Sequence, residues 1–273
     1  MHPALLLLTD SRLPAGGHAH SGGAEQAIAS GAVHDVPSLA RFLRGRLHTA
    51  GALAAALTAA ACAQAAGTPP ATALPPGLLA GGDAGPWAVL DREVDARTAA
   101  PAQRDASRTQ GRLLLRVARR VWPSPVLDEL ARAVPQPHHP VALGAAAHAA
   151  GAAPGDAALA AAYHAVSGPA TAAVRLLGLD PVAVHGLLAG LTPEVSAVAA
   201  DARTAVTPEH PGPTTPRAHP DDAHAPPRPG RPDASAQLGG AQVRWAALPA
   251  HSAPALDLLA ERHARAGIRL FVS

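Results

Sequence analysis

The feature that most constrains this chain is its alanine, which takes 70 of 273 positions and runs in blocks such as Ala54–Ala56, Ala59–Ala61 and Ala145–Ala147. Alanine is the strongest helix former. Strands favour β-branched and aromatic side chains, and aromatics make up only 2% of the residues. The expectation is an all-α protein of slender, closely packed helices. The length suits one large or two small domains and can bury a sizeable core.

Charge says little about partners. All 22 basic residues are arginine, nearly balanced by 20 acids, and the formal net charge is +2. GC-rich codons produce such a lysine-free bias, so the arginines call for no nucleic acid, and stacking aromatics beside them are missing. The single cysteine, Cys62, allows no internal disulfide, which suits a reducing cytoplasm. It reads as a small buried residue. The apolar run Leu5–Leu8 is too short for a signal peptide. The longest apolar stretch, Leu53–Ala66, is mostly alanine and falls short of the ~20 residues a membrane span needs. A cytoplasmic protein with no membrane partner is expected.

Helical punctuation is clear in places. After a glycine-rich turn, a short helix spans about 21–31. The next is marked by Asp35 as cap, Pro37 in the first turn, and Leu39, Phe42, Leu43, Leu47, Leu53 and Leu57 at helical spacing, ending near Ala66. Residues 67–86 read as loop. Helices follow over about 87–99, 102–122, 124–133, 139–150, 155–176 and 181–205, the 155–176 stretch broken or kinked by Gly168-Pro169. Within 102–122 the apolar face is expected to be Leu113, Leu114, Val117, Ala118 and Val121, with Arg112, Arg116, Arg119 and Arg120 in water. Residues 207–236 carry nine prolines and almost no large apolar side chain, so they read as disordered linker. The organisation expected is one bundle of about 8–10 helices over 1–206, a linker over 207–240 and a C-terminal tail over 241–273. The tail helix from Pro254 is either a docking element or a terminal helix packed on its own domain.

Catalytic chemistry is hard to find. No G-x-S-x-G elbow, P-loop or dinucleotide fingerprint is present. Gly16-Gly17 and Gly22-Gly23 fit tight turns of positive φ better than a phosphate cradle. Asp91, Glu93 and Asp95 alternate with Arg92 and Arg97 as on a solvated helix face, and Tyr163 and His164 suit core positions. Among fifteen histidines, His18 and His20 alternate in the glycine loop and are the strongest metal candidates; His138-His139 and the linker's His210, His219 and His224 are the others. None of these sets supplies the four convergent ligands of a structural zinc site. The residues favour a helical binding or scaffold protein over an enzyme.

The glycine loop makes the reading specific. The run from Asp10 to Glu25, with Leu13-Pro14-Ala15-Gly16-Gly17 and Ser21-Gly22-Gly23-Ala24-Glu25, resembles the N-terminal signature of the UreF family of urease accessory proteins. Further blocks are similar in order along the chain: His34-Asp35 with Ser38-Leu39 and Phe42-Leu43, Gln110-Gly111-Arg112-Leu113-Leu114, His139 to Gly144, Ala172 to Leu176, and the tail with Pro254 to Asp257, Glu261-Arg262-His263 and Arg269-Leu270-Phe271. Where many members carry phenylalanine-serine-tyrosine, this chain has His18-Ala19-His20.

The resemblance implies an all-α, non-catalytic adaptor with no cofactor of its own. Its implied partners are UreD (also called UreH), the GTPase UreG and apo-urease. It would act as a homodimer in an assembly that delivers nickel. It also implies partner-binding roles for Pro14, Gly16, Gly17, His18, His20, Glu25, Arg175, Asp257, Arg262, His263, Arg269, Leu270 and Phe271. The alternative is a nickel-binding metallochaperone that holds the metal itself through His18 and His20.

Overall fold

The computed structural model describes residues 2–67, 85–204, 248–251, 253–267 and 270–271. The disordered linker expected over 207–240, residues 68–84 of the loop expected over 67–86, and Arg269 lie outside the described residues. Among the described residues there is helix and no strand, as the alanine content requires.

Twelve α-helical segments are described, two of them joined end to end: α1 (Ala4–Leu8), α2 (Ala24–Ala29), α3 (Val36–Arg46), α4 (Ala52–Gly67), α5 (Pro86–Arg97), α6 (Pro101–Val121), α7 (Pro125–Ala133), α8 (His139–Ala149), α9 (Pro154–Leu177), α10 (Pro181–Gly190), α11 (Thr192–Thr204) and α12 (Pro254–Arg265). Nine of these carry proline in the first turn, where the missing N–H has no intrahelical partner to lose. Asp35 caps α3 in a reciprocal box with Ser38, whose amide lies 2.8 Å from the Asp35 carboxylate. A π-helical turn, Leu47–Gly51, joins α3 to α4.

The centre of the molecule is α4, flanked by α8, α9 and α11. Twelve of its residues are buried, seven of them alanine. Small side chains bring helix backbones close. At Gly144 in α8 a Cβ would lie 2.5 Å from the Ala61 Cβ and 2.8 Å from the Cys62 amide nitrogen, so the α4–α8 contact admits only glycine there. Cys62 is fully buried with its Sγ 3.5 Å from the Ala152 carbonyl, and burial, reinforced by Asp156, pushes its thiol up to about 12. The continuous helix Val36–Gly67 has 32 residues and is apolar enough to cross a membrane, but 72% of its most apolar stretch is buried inside the bundle, which makes it a core helix.

One expectation is corrected, and an open choice is settled. The buried face of α6 is Gly111, Leu114, Leu115 and Ala118, with Leu113 and Val117 half-buried and Val121 exposed. The face is turned because Gly111 must meet the backbone of 137–139. Of the two forms expected for the stretch around Gly168-Pro169, the structure has the single helix, 154–177, with Pro169 buried inside it. Proline lacks the N–H that would bond the carbonyl four residues back. That carbonyl, Ala165 O, instead accepts from Arg46 Nε at 3.0 Å. Burial lowers the Arg46 guanidinium to about 10.

Candidate functional site

The glycine loop owes its path to backbone that other residues adopt reluctantly. Gly16 has φ +78° and a Cβ there would stand 3.0 Å from Leu113; Gly22 has φ +60° and lies between Pro169 and Arg46. Gly17 departs from expectation: it opens a 3-10 turn, Gly17–Ala19, with ordinary φ. The loop thus threads between α3, α6 and α9, and delivers α2 with Glu25 in its first turn.

Glu25 gathers the far end of the chain. Its Oε1 accepts from the Leu270 amide at 2.8 Å and its Oε2 from the Phe271 amide at 3.1 Å. One carboxylate thereby satisfies two successive backbone donors, each a charge-assisted bond. His263, buried in α12, stands with Nε2 3.2 Å from the Phe271 carbonyl and Nδ1 3.6 Å from Glu25 Oε2. A second stitch comes from Glu261, which accepts from the Ala102 amide at 2.9 Å and so caps the N-terminus of α6. The helix α12 therefore packs on its own bundle, against α6 and α2.

Of the partner-binding candidates, the structure brings Glu25, His263, Leu270 and Phe271 together. Leu270 is 74% exposed and Phe271 half-buried, so the stitched tail still offers apolar surface. Pro14 and Gly17 are exposed in the loop, Gly16 is half-buried, and His20 is buried at 7%. The backbone of His18 lies in the 3-10 turn; its side chain, like Arg269, is outside the described residues. Asp257 lines a cavity of ≈ 610 Å³ between α4, α6 and α12, and Arg262 is exposed. Arg175 is exposed in the last turn of α9 and makes none of these bonds. Tyr163, expected in the core, is 40% exposed.

A second polar centre stands where the charge pattern suggests a solvated face. Asp91 is 5% exposed and His138 fully buried. The Asp91 carboxylate accepts from the His138 amide at 2.8 Å and from Arg108 at 2.9 Å. Asp95 takes Arg108 at 2.5 Å and the His138 ring at 2.8 Å. Burial works to raise the Asp95 carboxyl, but the His138 hydrogen bond and the His138 and Arg108 charges outweigh it and hold it low. Burial lowers the His138 ring despite the pull of both carboxylates. Asp91, Asp95 and His138 bring three donor atoms within 4.8 Å of one another. The Arg108 guanidinium already supplies the positive charge there, so the cluster fastens α5 to α6 and to the start of α8. Asp91 and Asp95 are i, i+4 neighbours, and that spacing, which puts two acids on one helix face, was the signal available in the sequence. Glu93 and Arg97 form the separate i, i+4 pair on the other side.

Fold and site together define an all-α scaffold, with one charged cluster bracing its helices and one carboxylate fastening its tail to its first turns. A family model described as UreF matches residues 33–192. The chain is 48% identical over 198 residues to the urease accessory protein UreF of Mycobacterium sp. (strain JLS), covering 72% of this chain and 83% of that one. It is 46% identical over 198 residues to the UreF of Mycolicibacterium vanbaalenii, covering 72% and 84%. It is 47% identical over 180 residues to that of Mycobacterium tuberculosis, covering 66% and 75%. The chain belongs to the UreF family of urease accessory proteins.

Proposed function

We propose that this chain is a non-catalytic adaptor in urease maturation, working in the cytoplasm as a homodimer. It binds UreD (UreH) and recruits the GTPase UreG, and the assembly delivers nickel to apo-urease. Family membership across 33–192 and relatives named as urease accessory proteins carry this reading. The stitched tail supplies a surface for it: Leu270 projects from backbone that Glu25 holds in place. Apolar anchors on pre-ordered backbone bind at lower entropic cost than anchors on a free tail.

The test is co-expression of the tagged full chain with the UreD and UreG of the same organism. The wild type captures both. Phe271→Ala and Leu270→Ala weaken capture while leaving the melting temperature within about 2 °C, since surface truncations move stability little. Failure of the wild type to retain either protein overturns the adaptor reading. A loss of capture that follows melting temperature one for one overturns the role given to the tail.

A further inference from the structure

From Gly111 to Val121, α6 carries four arginines and no acid. Arg112, Arg116 and Arg120 stand four residues apart, one above the other on a stripe about 12 Å long, and Arg119 lies beside it. All four are exposed. They line one cleft of ≈ 520 Å³ where α6 meets α7, with Leu115 and Pro135 as apolar wall and Asp128 as its one acid. Elsewhere the fold sets its arginines against carboxylates: Arg12 on Asp10, Arg44 on Glu194, Arg97 on Glu93, and Arg108 on Asp91 and Asp95. In the cleft Arg119 alone is paired, by Asp128. Arg112, Arg116 and Arg120 form no ion pair among the described residues. Like charges one turn apart on a helix repel, so the stripe costs the free chain stability and an anion laid over it removes that cost.

The chemistry of the cleft selects its occupant. A guanidinium presents a planar fork that suits a carboxylate. Asp128 is the fold's own instance: its Oδ1 lies 2.8 Å from Arg119 Nε and 2.7 Å from Nη2. A compact phosphate gains most at a helix N-terminus, where free backbone N–H groups and the positive end of the dipole meet it. These arginines occupy the last three turns of α6, where the amides are bonded within the helix and the dipole end is negative. No aromatic ring lines the cleft, so a nucleobase has no face to stack on. The stripe instead matches a second helix with an acid on each turn, since both repeat at about 5.4 Å.

We propose that this arginine cleft docks an acidic helical segment of a partner protein, its carboxylates spaced one turn apart and paired to Arg112, Arg116 and Arg120. The apolar wall accepts the methylene stems of the partner's glutamates, as long charged side chains lay their stems on apolar surface. The cleft is separate from the tail junction. Glu261 caps α6 at Ala102, about 15 Å along the helix before Arg112. A partner at the cleft therefore leaves the clasp of Glu25 on the tail undisturbed, and the cleft stands independently of the adaptor reading.

The test is fluorescence anisotropy of the full chain with a fluorescein-labelled helical peptide bearing a glutamate on each turn of one face. The peptide binds. Raising salt from about 0.01 M to about 0.1 M, which shortens the screening length from about 30 Å to about 10 Å, weakens it. Arg112→Gln, Arg116→Gln and Arg120→Gln combined weaken it roughly tenfold or more, in line with the loss of three exposed ion pairs. Arg41→Gln, Arg92→Gln and Arg175→Gln combined remove the same charge from exposed positions of α3, α5 and α9 and change binding by less than about twofold. Asp128→Asn frees Arg119 and tightens binding. All these positions are exposed and glutamine is a good helix former, so melting temperatures stay within about 2 °C. No binding by the wild type, an equal loss in the two triple variants, or an Asp128→Asn protein that binds no tighter overturns the cleft. A DNA duplex of equal charge that binds more tightly than the peptide at the same salt overturns its acidic helical occupant in favour of nucleic acid.

Discussion

At the scale of single residues, Asp91 shows how one buried charge orders a neighbourhood. It accepts from the His138 amide and from Arg108, and it lies 5% exposed. Removing one partner of such a pair leaves the other buried and uncompensated. Asp91→Ala is expected to lower unfolding stability by about 3 kcal/mol, read by urea denaturation. Asp128→Ala, which breaks the exposed pair with Arg119, should change it by under about 1 kcal/mol. Equal effects of the two substitutions would show that the cluster is no more than surface charge. The sequence contained the i, i+4 spacing of Asp91 and Asp95. Their partners, 47 and 43 residues away at His138, have no local signal at all.

At the scale of elements, legibility tracked chemistry that is local in sequence. The start of α3 was readable from Asp35, Pro37 and the apolar spacing behind them, because a cap acts within one turn. The face of α6 was not. Leu113, Leu114 and Leu115 are consecutive, so periodicity alone admits two faces, and the choice is made by Gly111 meeting the 137–139 backbone. For α9 the sequence left open one helix or two, since nothing in Gly168-Pro169 announces that Arg46, 119 residues from Ala165, relieves the lost bond. This relief can be tested. Arg46→Ala leaves a carbonyl without its partner and should cost about 1–3 kcal/mol. In a Pro169→Ala background the helix regains its own donor, and the same substitution should cost about 1 kcal/mol less. A double-mutant cycle by chemical denaturation checks this, and strict additivity would sever the link between the two residues.

Across the whole molecule, the alanine content foretold an all-α bundle, while the charge balance foretold little. The histidines packed into the bundle give it a pH window. His139 and His164 have folded pKa values of about 3 and 4, below the ordinary histidine value of 6.5, and His138 is lowered too. The unfolded chain therefore binds more protons than the folded one as pH falls below about 6.5, and stability declines with it. The decline continues down to about pH 4, where the low-lying carboxyls of Asp95 and Asp35 begin to add their own loss. Above pH 7 these imidazoles contribute no slope. The urea midpoint measured from pH 8 to 4 should be level and then fall, and His164→Gln should flatten the fall. A level midpoint between pH 7 and 5 would contradict the neutral state of these rings in the folded chain.

The bond between Glu25 and the backbone of Leu270 and Phe271 spans 245 and 246 residues. On the ribosome, at ~5–20 residues per second, that separation amounts to about 12–50 s between the making of the carboxylate and the making of its partners. Through that interval the first turns of the protein exist without their clasp. The glycine loop is therefore made long before its clasp and is among the last parts to be fastened, and a nascent chain presents it to the cell in a form that the finished protein does not.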